Sequence, residues 1–504
     1  MDLLQKFCNY ALVLVLSVSS CQASAILFQN GTVITWNSEI NDLEIMHEAS
    51  VLVTDDRITG IYSTSDAANA TDAEVIDVTG KIVTPGFVDT HHHLWQSQYR
   101  TIGSNTTLAE YLQRFGELSP ASTVFTADDI YVGEIMGVYE ALDAGVTTIV
   151  DHAHHTWSNE TAEAGLVGAI DGGGRVFWCF TVHELDNGYA VDEQIAKLRE
   201  LAGDERLGGS SARLGLSFDG WANQPDTVRK LLPVVNETGV EVLTTHYVGG
   251  PWNYENSPSA LDTYSLLDTP LPIIFSHAIF SSQYEYGLLT THSHFASIVP
   301  ESDMHYGIGQ LSKAYIQPQA ALGVDTHFTY SADMVSQARL WLQSSRALEF
   351  ERVLGTWNVP STSPVSVKQA FLLITRKGGQ ALRRDDIGVL REGVKADLVV
   401  FDGDAPNMIG WRDPVAAVIL HSHVGNVRHV LVDGEWRKKD FVLLAKGNVT
   451  ENQEAFVQSG GRIQDALEAM EFSVLEGDYP FAVGGVEYEE TKRFDVTVEN
   501  GTGY

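Results

Sequence analysis

Apolar and polar residues alternate in short runs near the start of the chain: Ile26-Leu27-Phe28, Thr32-Val33-Ile34-Thr35, Ser50-Val51-Leu52-Val53 and Arg57-Ile58-Thr59-Gly60-Ile61. A period of two, broken by turn residues, predicts strands of a small sheet. The same texture returns at 396–401 and 427–434. Between these sets the pattern changes to apolar strands spaced by helical segments, with strands expected at 82–88, 147–151, 176–182, 214–218, 241–246, 272–277, 295–299 and 321–325. Eight strand-then-helix units predict an α/β fold, a closed parallel (β/α)8 barrel with its chemistry at the C-terminal strand ends. The flanking strands then form one split β-sandwich domain built from N- and C-terminal segments. The expected organisation is a leader at 1–25, the first part of the β-domain at 26–84, the barrel at 85–385 and the second part at 386–450. An amphipathic helix (Phe456, Ile463, Leu467, Met470) and an acidic tail without an assigned role fill 451–504.

The leader changes the expected destination. Lys6, an apolar run at 11–18 and Ala23-Ser24-Ala25 read as a secretory signal cleaved after Ala23 or Ala25. The run is too short to span a bilayer, so a secreted protein without a membrane span is expected. Asn30, Asn69, Asn105, Asn159, Asn236, Asn448 and Asn500 each begin an Asn-x-Thr triplet, which predicts a glycoprotein with some of these sites buried and unused. Cys8 and Cys21 belong to the leader, so Cys179 has no disulfide partner. Within Val176-Phe177-Trp178-Cys179-Phe180 it reads as a buried, inert thiol. With 504 residues, 44% of them apolar, the chain can rest on a large core instead. A net charge of −34 disfavours nucleic acid and anionic membranes as partners. A small-molecule substrate is the expected partner, and a homo-oligomer is left open.

Candidate chemistry collects where the barrel strands end. Thr84-Pro85-Gly86-Phe87-Val88-Asp89-Thr90-His91-His92-His93 reads as a buried strand closing on histidines at i and i+2. Side chains alternate along a strand, so His91 and His93 leave one face and can share a divalent ion, while His92 points away into packing. His246 ends the fifth strand, His277 the sixth and Asp325 the eighth. Imidazoles and a carboxylate on one barrel face fit zinc, with ferrous iron or manganese as alternatives. His292-Ser293-His294 repeats the spacing but precedes the seventh strand, and it is read as structural.

The first motif, Pro85-Gly86-Phe87-Val88-Asp89-Thr90-His91-His92-His93, resembles that of the amidohydrolase superfamily, in its cytosine-deaminase and chlorohydrolase-like branch. Gly145-Val146-Thr147-Thr148, Pro300-Glu301-Ser302-Asp303-Met304-His305 and the return at 387–399 are similar to later parts of the same pattern. The resemblance implies metal ligands at His91, His93, His246 and Asp325, with His277 near the substrate or metal. Two departures narrow it. The fourth strand, Leu214-Gly215-Leu216-Ser217-Phe218-Asp219, has no lysine to bridge two metals, so one ion is expected. Deaminases of the family carry a proton-shuttling glutamate three residues after the fifth-strand histidine, where this chain has Gly249. Trp95-Gln96 after the motif resembles a less characterised subgroup that also lacks that glutamate.

The expectation is therefore a secreted, mononuclear metal-dependent hydrolase that cleaves a C–N bond (amide, cyclic amide or amidine) of a small metabolite. Asp325 is the expected general base and His277 the group that polarises the substrate. Trp95 and Gln96 are expected as pocket walls and His154, with His183 behind it, as a substrate contact. Glu301 and His305 are candidates to replace the missing glutamate. The alternatives are deamination of a heterocycle through such a substitute, a metal-assisted decarboxylation or rearrangement, and a binding protein that has lost catalysis.

Overall fold

The computed structural model describes residues 25–63, 72–309, 318–481 and 484–493. The expected leader up to residue 24 lies outside them, as do Asn69 and Asn500. Two sheets organise the chain. The first begins with β1 (Ala25–Asn37), β2 (Asp42–Thr54), β3 (Arg57–Ser63), β4 (Glu74–Asp77) and β5 (Ile82–Pro85). The second contains β6 (Phe87–His92), β7 (Val146–Ala153), β8 (Arg175–Val182), β9 (Arg213–Phe218), β10 (Leu243–Tyr247), β11 (Ile273–His277), β12 (Phe295–Ile298) and β13 (Ala320–Leu322). The chain then returns to the first sheet through β14 (Leu398–Phe401), β15 (Val427–Val432), β16 (Glu435–Lys439) and β17 (Val442–Leu443). The first sheet runs β17-β16-β15-β14-β5-β1-β2-β3 with β4 beside β1, so N- and C-terminal segments share one mixed sheet. The second is parallel throughout, from β6 in order to β13.

Two strand expectations need correction. The segments at 26–28 and 32–35 are one strand, because Asn30-Gly31 forms a bulge and not a turn: Asn30 has φ +67° and the register shifts around Gly31. The expected first barrel strand at 82–88 is divided between the sheets. Ile82–Pro85 pairs with β14 and β1, and the barrel strand starts at Phe87. Gly86 makes the crossing, and a Cβ there would lie 2.1 Å from Thr147 Oγ1, so only glycine lets β6 enter beside β7.

The barrel closes between β6 and the chain just after β13. Val324 and Asp325 N–H groups donate to the His91 carbonyl (3.0 and 2.8 Å), and Thr90 Oγ1 donates to the Leu322 carbonyl (2.9 Å). Gly323 permits this seam, since a Cβ would stand 2.9 Å from both the N and the Cβ of His91. The barrel floor is apolar, filled by Val88, Val150, Phe177, Cys179, Val242 and Ile274. Cys179 is fully buried, and burial holds its thiol pKa well above the ordinary value, as expected of an inert residue. Buried Arg175 at the foot of β8 ties barrel to sheet through Asp397 and Asp433, each 2.8 Å away. The C-terminal helix, Val449–Glu468, buries Ile463 and Leu467. No helix among the described residues is long and apolar enough to cross a membrane.

Candidate metal centre

The site lies at the C-terminal strand ends, and a bulge in β6 creates it. Val88 belongs to the barrel floor, so strict alternation would turn His91 outward. The register between β6 and β7 shifts between Asp89 and His92, where Asp89 Oδ1 accepts the N–H groups of His91 and Val324 (both 3.1 Å). The extra residue brings His91 and His93 inward and leaves His92 outside. There His92 Nδ1 bonds Asp89 Oδ2 (2.6 Å) and its Nε2 bonds His327 (2.8 Å). His277 and Asp325 are also aimed by unusual backbone: both are left-handed, with φ of +70° and +72°. Side-chain-bearing residues seldom adopt that conformation, and where they do the site is often functional.

Three ring nitrogens converge because their opposite nitrogens are anchored. His91 Nδ1 bonds Ser276 Oγ (2.8 Å), His93 Nδ1 donates to the His152 carbonyl (2.8 Å), and His246 Nδ1 donates to Asp219 Oδ2 (2.7 Å). A carbonyl and a carboxylate only accept, so the protons of His93 and His246 sit on Nδ1 and their Nε2 atoms are bare. Those two bare nitrogens face each other at 3.3 Å. Asp325 Oδ1 stands 3.1 Å from His93 Nε2 and 3.4 Å from His91 Nε2, and the latter is buried without a hydrogen-bond partner. Lone pairs crowded in this way repel unless a cation lies between them, and outward anchoring of the rings is the usual support of a metal ligand. The residues present therefore fit a divalent ion.

Charge around the cluster follows from burial and pairing. Burial pushes the His91 pKa well below the ordinary range, keeping the ring neutral. Burial opposes ionisation of Asp325 and Asp219, yet the neighbouring histidines hold both well below the usual carboxylate range. Burial likewise works against protonated His277, but Asp303, 3.0 Å from its Nδ1, raises its pKa. Ser302 donates to Asp325 Oδ2 and fixes that carboxylate.

The Amidohydrolase family profile matches residues 82–437. The chain belongs to that family. It is 23% identical over 432 residues to a 5-methylthioadenosine/S-adenosylhomocysteine deaminase of Thermococcus kodakarensis, covering 82% of this chain and 93% of the relative. Its fold is that of an adenosine deaminase from Xanthomonas campestris with bound zinc, at TM-score 0.76, 16% identity and coverage of 89% and 99%. An atrazine chlorohydrolase from Arthrobacter aurescens complexed with zinc gives TM-score 0.72, 18% identity and coverage of 86% and 100%.

In this amidohydrolase a cavity of about 110 Å³ opens onto His93, His246, His277 and Asp325. Its other walls are mostly apolar, with Leu108, Leu112, Leu118, Val248, Ile308 and Phe481. A second cavity of about 430 Å³ adjoins it, shares Glu117, Asp219, Tyr254 and Phe481, and is lined further by polar groups such as His183 and Asn223. His154 lines the first cavity, stacked on His93 at 4.1 Å. Four expected contacts lie elsewhere. Trp95 and Gln96 are fully buried behind the wall, where Trp95 Nε1 donates to His154 Nδ1 (3.0 Å) and Gln96 Nε2 to Tyr111 (2.9 Å). Glu301 turns away to Gln337 (3.0 Å), and His305 points at the Gly103 carbonyl (3.4 Å). Neither offers a proton to the cavity.

Sequence reasoning missed His152, Asp219, Ser276 and Asp303. His152 ends β7 inside the barrel, and the criterion that found His246, a histidine where a strand runs out, applies to it equally. His91, His152 and His246 form one group able to hold an ion, and His91, His277 and Asp325 another. The acidic tail was also silent. Phe481 reaches the cavity from it, held by Asn253 Nδ2 donating to its carbonyl (2.7 Å).

Proposed function

We propose that this protein hydrolyses a C–N bond of a small, flat molecule with water activated at a single divalent ion held by His91, His93, His246 and Asp325. The observation that carries this is the meeting of inward-facing Nε2 atoms with Asp325 at the end of a small cavity. When bound, a divalent ion of the zinc type brings the ionisation of a water into the neutral range and polarises the electrophilic group. Asp325 accepts the water proton, its orientation fixed by Ser302. His277, anchored through Nδ1 by Asp303, turns Nε2 toward the same space and donates to the oxygen that gains charge. The apolar walls take a planar ring and exclude bulk water. The second, polar cavity takes a polar substituent of that ring.

Ammonia release from 5′-methylthioadenosine, adenosine and cytosine by the zinc-loaded protein tests this reading, with Asp325→Asn as control. Release by the parent and not by the variant is expected; no release from any probe, together with no ring opening of a cyclic amide, contradicts it. We further propose export and glycosylation. The leader motif supports this, and all five Asn-x-Thr asparagines within the described residues (Asn30, Asn105, Asn159, Asn236, Asn448) are exposed. A glycosidase mobility shift and an N-terminus near Ala25 are expected; an unshifted protein that keeps Met1 contradicts it.

A further inference from the structure

The cavity contains a carboxyl group that the reaction above leaves unused. Three carboxyl groups among the described residues line it: Asp325, Asp219 and Glu117. Asp325 is committed to Ser302 and the histidine cluster, and Asp219 to His246 and Thr245. Among the described residues, Glu117 alone of the three makes no side-chain hydrogen bond or ion pair, and no lysine or arginine shares the cavity wall with it. It stands where the two cavities meet. Its main chain is anchored: Trp157 Nε1 donates to the Glu117 carbonyl (2.9 Å), and Gln96 Nε2 contacts the Phe115 carbonyl (3.3 Å) two residues earlier. Trp95 packs edge-on against Trp157 at 5.1 Å, so the Trp95-Gln96 pair stands behind this loop. Gly249 is unsuited to the same task, since a Cβ there would point at Phe280 and Tyr247 (both 3.3 Å).

We propose that Glu117 is the catalytic acid that protonates the leaving nitrogen, taking the part left empty at Gly249. This rests on the C–N hydrolase reading. The water oxygen bonds to the carbon as one of its protons passes to Asp325. The C–N bond then breaks as the Glu117 carboxyl proton moves to the nitrogen, which leaves with the bonding pair as ammonia. The proton on Asp325 returns to Glu117 through solvent, closing the cycle. Burial, with the charge of Asp219 adding to it, pushes the Glu117 carboxyl up to about 8, so the acid is loaded at neutral pH.

The test compares parent, Glu117→Gln and Glu117→Asp, all zinc-loaded, with 5′-methylthioadenosine, adenosine and cytosine as probes. Glu117→Gln is expected to lower kcat by about 10²–10⁴-fold at unchanged zinc content and KM, with partial return in Glu117→Asp. Parent turnover needs the protonated acid, so it holds below about pH 8 and falls above; this limb disappears in Glu117→Gln. A parent-minus-Glu117→Gln infrared difference at pH 7 should show a protonated carboxyl stretch. Ammonia release that survives in Glu117→Gln, a rise in KM alone, or no such stretch overturns the role of Glu117 while leaving the hydrolase reading intact. No release by the parent from any probe, together with no ring opening of a cyclic amide, overturns both; ring opening without ammonia release overturns the role of Glu117 alone.

Discussion

Two histidine pairs with the same i, i+2 spacing meet opposite fates in this barrel. His91 and His93 leave β6 at its C-terminal end, each with Nδ1 anchored and Nε2 directed into a shared space. His292 ends the helix Gln283–His292 and lies 3.2 Å from Asp268, whereas His294 is buried at the approach to β12. Both His294 nitrogens are taken by main chain: Nε2 donates to the Leu267 carbonyl (2.9 Å), and Nδ1 accepts from Ile273 N (3.2 Å). Spacing supplies a shared direction only on a strand. A ligand additionally needs one nitrogen held from behind and the other left bare.

Substitutions sharpen this contrast in descending order of effect. Asp325→Asn should lower turnover by roughly 10⁴-fold or more, because it removes the proton acceptor and weakens water activation together; steady-state kinetics on whichever probe the parent hydrolyses checks this. Asp219→Asn should weaken zinc affinity about 10–100-fold while sparing the fold, since it loosens the orientation of His246 without deleting a ligand; competition with a chelator reads it. His294→Ala should leave zinc binding unchanged and cost about 1–3 kcal/mol of stability through its orphaned main-chain partners, measurable by denaturant unfolding.

His294 also gives a signed pH effect. Burial, with Arg383 adding and the Leu267 carbonyl opposing, lowers its pKa to about 4. The unfolded imidazole takes up its proton near 6.5, so the unfolded state binds more protons between those values. The contribution of His294 is full above about pH 6.5 and declines as pH falls to about 4, by up to about 1.4 kcal/mol per unit. A flatter acid limb in His294→Ala is expected; an unchanged limb counts against this assignment.

The sequence reveals the architecture because hydrophobic periodicity is local. Alternating runs mark the mixed sheet, apolar runs mark the barrel, and each expected ligand lies at a strand end. What stayed hidden depends on irregular backbone or on distance along the chain. The bulge at Asp89 and the left-handed turns at His277 and Asp325 aim side chains in ways a period of two does not encode. Asp219 supports His246 from 27 residues away, and Glu117 enters from a loop with no motif of its own. Glu301 and His305 have suitable chemistry and a suitable position in sequence, but Glu301 bonds Gln337 and His305 is turned toward the Gly103 carbonyl.

The most direct test is the zinc content of purified parent protein, His91→Ala, His246→Ala and His294→Ala after equal exposure to zinc and removal of the excess. About one ion per chain is predicted in the parent and in His294→Ala, and little or none in His91→Ala and His246→Ala with the fold retained. Full occupancy in His91→Ala and His246→Ala, or no zinc in the parent, would contradict the metal centre.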